Sequence, residues 1–162
     1  MSFRVVSILG DVGEPRFSAL RRDRVDIAWF DASKPRLSVQ SEGGETVKIE
    51  LPRGSYLAAG SVLFADEAMA LVVSRTTDQV CSFKFDEGID RATLVADAVR
   101  LGHALGSQHL PFEMLTNEIV VPVATSAEVL TRSVQRLRLR SVSMRFTEAE
   151  PFANNPPQQA HH

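Results

Sequence analysis

Partway along the chain the hydrophobic pattern changes its period, and that change limits the possible folds more than any other feature. Up to about residue 76, apolar side chains come in short alternating or β-branched runs separated by turn residues, with no sustained 3.6-residue repeat. Strands are expected at 4–9, 24–30, 36–40, 46–51, 61–65 and 69–74. Gly43-Gly44 and Pro52-Arg53-Gly54 mark reversals, because glycine reaches the positive φ that tight turns require. Five or six short strands make residues 1–76 an all-β domain, a small sandwich or barrel.

Beyond that point helical spacing enters. Residues 79–85 still alternate, with Cys81, Phe83 and Phe85 on one face. Leu94, Val95, Ala98, Val99, Leu101, Gly102 and Leu105 then form one apolar stripe of a helix over 90–105, and Gly106 is placed to end it in the left-handed conformation. Strands are expected at 111–115 and 118–123. Thr125 and Glu128 have capping-box spacing for a helix reaching 137, with Val129, Leu130, Val134 and Leu137 inward. A last strand spans 140–146. The order β-α-β-β-α-β predicts a ferredoxin-like domain over 77–147, so the fold class is α+β. From Glu148 the composition turns to Glu, Pro, Asn, Gln and Ala, which predicts a flexible, disordered tail over 148–162 ending in His161 and His162.

Several functions are disfavoured at once. The net charge is -2 and no basic stripe is present, which argues against nucleic-acid binding. Cys81 is the only cysteine, so no internal disulfide can form and a reducing compartment fits. The apolar run at 5–10 is too short for a signal h-region or a membrane span, and the expected location is the cytoplasm. A glycine-rich phosphate loop, CxxC, HExxH and GxSxG are all missing, so an enzyme is not expected.

What stands out is the histidine distribution: His103 and His109 flank the end of the first helix, and His161 and His162 close the chain. Imidazole binds nickel, copper and zinc, and a ligand just past a helix end projects outward. His103 and His109 nevertheless match no standard metal spacing, so spacing alone favours an ordinary loop histidine at 109 and a packed helix residue at 103. Cys81, on an apolar strand face, reads as a core residue rather than a thiolate ligand. Arg132, Arg136, Arg138 and Arg140 read as a solvated helix face and edge strand.

Short motifs add a resemblance. Leu105-Gly106-Ser107-Gln108-His109-Leu110-Pro111, after a helix and before a strand, resembles the Gly-Asn-Arg-His-x-Pro segment of the urease accessory protein UreE family. Arg22-Asp23-Arg24-Val25 looks like that family's early Arg-x-Arg strand. Ile49-Glu50-Leu51-Pro52-Arg53-Gly54 is similar to its Leu-Pro-Arg-Gly run, and Gly60-Ser61-Val62-Leu63 stands where Gly-Asp-Val-Leu is usual. The similarity covers roughly residues 20–138.

The resemblance implies a β domain followed by a ferredoxin-like domain, a homodimer, and delivery of Ni(II) as a transported ion for urease maturation. Zn(II) or Cu(II) could take its place in vitro. The implied partners are the accessory GTPase UreG and the urease apoprotein complex. His109 corresponds to the family's interfacial nickel ligand, so the two copies in a C2 dimer would face one ion, with His161 or His162 completing the shell. Some features depart from the family. Ser107 and Gln108 replace Asn and Arg, Ala104 stands where many relatives have a second histidine, and residues 123–128 contain none. The competing reading is a protein-binding or chaperone-like module in which metal is incidental; a hydrolase using His103 or His109 with Asp90 or Glu113 comes third.

Overall fold

A computed structural model describes residues 2–124 and 126–157. Its contacts divide into two compact units, one formed by the chain up to Thr76 with Phe152–Pro156, the other by Thr77–Pro151.

The first unit carries β1 (Ser2–Val5), β2 (Gly10–Asp11), β3 (Arg21–Ile27), β4 (Arg36–Gln40), β5 (Thr46–Glu50), β6 (Ser61–Ala65) and β7 (Met69–Arg75). They form two sheets, ordered β1-β5-β4 and β2-β6-β7-β3. Alternation decides which side chains meet: Val25 and Ile27 of β3 and Val47 and Ile49 of β5 turn inward and share a core with Leu57, Leu63, Leu71 and Val73. The run Ala70-Leu71-Val72-Val73 in β7 is buried on both faces, because the 3-10 turn Pro15–Phe17 places Phe17 over its outer side, against Val62, Ala70 and Val72. Gly44 (φ 85°) and Gly54 (φ 87°) occupy the two expected reversals, where a side chain would be strained. The buried carboxylate of Asp23 on β3 accepts from Gly43 N (3.0 Å) and Arg24 N (2.9 Å), fastening the β4–β5 hairpin to the other sheet. Burial acts to raise its pKa, yet the bonds from Ser41, Gly43 and Arg24 outweigh it and hold the group below the usual carboxylate value.

The second unit runs β8 (Asp78–Phe85), α1 (Arg91–Ser107), β9 (Glu113–Met114), β10 (Glu118–Pro122), α2 (Ala127–Gln135) and β11 (Val142–Ala149). Its sheet is ordered β11-β8-β10-β9 with every pairing antiparallel. Leu101 and Leu105 of α1 and Leu130 of α2 share one core with Cys81, Phe83, Ile119 and Val121. Fold class is thus α+β.

Four expectations change. The buried ridge of α1 is Asp97, Leu101 and Leu105, at i, i+4 and i+8, while Val95 and Val99 are 55% and 65% exposed. On α2, Val129 likewise faces out. The N-cap of α2 is Ser126, whose side chain accepts from Val129 N at 3.1 Å; Thr125 lies outside the described residues. Gly106 remains inside α1 and does not end it.

The tail expected from Glu148 is also corrected, as far as Pro157. β11 continues through Glu148 and Ala149, paired with Gln79 and Asp78, since ladder bonds use backbone groups and tolerate polar side chains. Phe152 then inserts into the first unit at 1% exposure, its ring centroid 5.4 Å from that of Trp29. Its carbonyl accepts from the Tyr56 hydroxyl, and Ala59 N donates to the Ala153 carbonyl at 2.7 Å. One buried phenylalanine contributes roughly 1.5–3 kcal/mol, enough to seat a polar segment. His161 and His162 lie outside the described residues.

Candidate functional site

The site is built from the end of α1. Asp90 caps its start, accepting from Thr93 N (3.0 Å) and Thr93 Oγ1 (2.9 Å). At the other end Gln108 is the C-cap (φ -91°) and His109 follows at φ 54°, in the left-handed region. His109 N donates to the Gly106 carbonyl and Leu110 N to the Leu105 carbonyl, both at 3.0 Å. This is the Schellman pattern, with Leu105 and Leu110 supplying its apolar contact. The position that glycine usually fills is therefore taken by an exposed histidine, held on a backbone fixed from both sides. Non-glycine residues are uncommon there, though histidine tolerates it better than most.

His103 is exposed one turn and a half earlier, with the Ser107 hydroxyl donating to its backbone carbonyl at 2.8 Å. It lies on the same ridge as Val95 and Val99, four residues apart along the helix. Beside the His109 loop a hollow of about 300 Å³ is lined by Gln108, Leu110, Val123, Ser126, Val129 and Leu130 among others. No ionisable side chain among the described residues lines it. Among the described residues, no three of His, Cys, Asp and Glu gather where they could hold an ion. Cys81 is fully buried in the core, and burial pushes its thiol up to about 12, so it is no thiolate.

Sequence reasoning missed Asp97. Its carboxylate, 1% exposed, accepts from Arg140 N (2.9 Å), Ser141 N (2.8 Å) and Ser141 Oγ (2.7 Å), all at Oδ2. Burial raises its pKa, but those three bonds prevail and the group sits below the ordinary carboxylate value. The only signal was an aspartate at the i-4 and i-8 positions of two core leucines.

Comparison with known proteins identifies relatives of the chain. The N-terminal domain of the UreE urease accessory protein matches residues 5–74. The urease accessory protein UreE of Yersinia intermedia is 30% identical over 150 residues, covering 87% of this chain and 66% of that protein. That of Yersinia bercovieri is 29% identical over 153 residues, with the same coverage. The UreE of Edwardsiella ictaluri is 26% identical over 139 residues, 83% of this chain and 62% of that protein. The chain thus spans about three fifths to two thirds of the length of these relatives. With the matched domain coinciding with the first β-rich unit, and full-length relatives aligned well past it, the chain belongs to the UreE family of urease accessory proteins.

Proposed function

We propose that this chain is a nickel metallochaperone for urease assembly, an accessory protein rather than an enzyme, which binds Ni(II) between two copies of itself. The observation that carries the reading is His109: an exposed imidazole at a left-handed helix cap, a position where glycine would relieve strain. Strain kept at an exposed residue points to a use for its side chain.

One imidazole is a poor cage, so further donors must come from elsewhere. Val95, Val99 and His103 form an exposed ridge on α1 that leads toward His109. A C2 contact along this ridge would bury the valines and bring the two copies of His109 to one ion near the axis. His161 and His162 would supply exchangeable ligands, which suits a carrier that must release its cargo. The second unit reads as ferredoxin-like, supported by its βαββαβ order and by a sheet in which the fourth strand is followed by the first, third and second. The partners would be UreG and the urease apoprotein, in the cytoplasm; no helix among the described residues is long and apolar enough to cross a membrane.

Metal analysis and titration calorimetry test this on purified chain lacking any added histidines. One nickel per two chains is expected, with binding lost in His109→Ala. A variant that binds nickel as tightly as the parent overturns the assignment.

A further inference from the structure

Arg100 on α1 and Arg138 and Arg140 beyond α2 are far apart in sequence, yet they line one open cleft of about 480 Å³. Its remaining wall is made of Ala92, Thr93, Ala96 and Asp97, small side chains that leave the guanidinium groups room. The arrangement is held from beneath. Asp97 Oδ2 takes the N–H of Arg140 and two donors from Ser141, pinning the backbone that carries Arg140, while Asp97 Oδ1 lies 3.9 Å from Arg100 Nη1. Arg138 sits between Leu137 and Leu139, both packed on the core, and adopts φ 50°, a second left-handed residue where glycine would be easier. All three arginines are exposed.

The local charge is not a by-product of a basic protein, since the chain as a whole carries -2. Among the described residues, Asp97 and Asp90 adjoin the arginines, and both are already engaged: Asp97 by Arg140 N and Ser141, Asp90 by Thr93 N and Oγ1. Arginine forks pair with carboxylates through two parallel hydrogen bonds. A phosphate would be served by free N–H groups at a helix start, but that of Thr93 is taken by Asp90.

We propose that the Arg100, Arg138 and Arg140 cleft docks an acidic segment of a partner protein, with its carboxylates paired to the guanidinium groups. The surface is independent of nickel, so the test is run on the full chain with metal chelated. Fluorescence anisotropy with labelled hexaglutamate should show saturable binding that weakens as salt rises. Arg138→Ala and Arg140→Ala should each weaken it about tenfold, as expected for a lost hydrogen bond between charged groups. Arg132→Ala and Arg136→Ala, outside the cleft, should leave it unchanged. Circular dichroism verifies folding of these surface variants. The proposal is overturned by absent binding, by equal losses in the two variant pairs, or by single-stranded DNA or inorganic phosphate binding the cleft more tightly than hexaglutamate.

Discussion

The two units treat their apolar residues differently. In the first, the β-branched residues of β3, β5 and β7 are consumed by cores on both sides of one sheet, and Phe152 is drawn in to cover Trp29. In the second, an aspartate takes a place on the buried ridge of α1 while Val95, Val99, Met114 and Val129 remain exposed. Each unit buries a carboxylate, Asp23 or Asp97, and each leaves apolar side chains out that forgo roughly 1.5–3 kcal/mol apiece, Val6, Leu9 and Phe30 being those of the first. The units thus differ in where their exposed apolar residues lie, in loops and turns of the first and on the two helices and around β9 of the second. The large effects of mutation should divide along the same line.

Asp97 should give the largest effect. Asp97→Ala leaves two backbone N–H groups and the Ser141 hydroxyl without their acceptor, which should cost the second unit about 3 kcal/mol. Amide hydrogen exchange resolved along the chain should show lost protection in residues 77–149 and little change before Thr76. Equal loss in both units would break the distinction. The same residue sharpens it through pH. Its folded pKa is depressed, so its contribution is full above the unfolded value of about 3.9 and is lost as pH falls through the folded pKa. Acid titration of Asp97→Asn should flatten the acid limb of the second unit and leave that of the first, where Asp23 performs a similar role.

Next in size is Phe152. Phe152→Ala should destabilise the first unit by about 2 kcal/mol, below the roughly 3–5 kcal/mol usual for a core aromatic truncation because Asn154, Asn155 and Pro156 after it are exposed. Trp29 is the only tryptophan, so its emission reports on this unit alone. Unchanged emission and midpoint would mean that the strand-following segment adds nothing to the β unit.

These residues also mark where the sequence could be read and where it could not. β4 and β6 were legible to the residue, β4 through its alternation and β6 as a short apolar run bounded by Gly60 and Asp66. β2, only two residues long, offered no period to detect. Asp97 was hidden because its partners lie 43 and 44 positions away, and nothing local announces such a bond. The C-terminal segment escapes a composition reading because one phenylalanine among polar residues hardly moves the average, although its ring is buried beside Trp29. His109 was singled out only through its resemblance to a family segment; Gly106 looked like the helix stop, yet the core position of Leu105 and the bond from Leu110 carry the helix two residues further.

The smallest effect separates fold from function most cleanly. His109 occupies a glycine position, so His109→Gly should stabilise the second unit by about 0.5–1 kcal/mol in a chelated, metal-free melt. His109→Ala keeps a Cβ in the same left-handed conformation and should give no such gain. Both variants remove the imidazole, and both should lose nickel binding in calorimetry. A residue serving only as a helix stop would improve when replaced by glycine and show no other change. A ligand kept at the expense of stability improves as a helix cap and fails as a carrier, and the paired measurement tells the two apart whatever the tail histidines contribute.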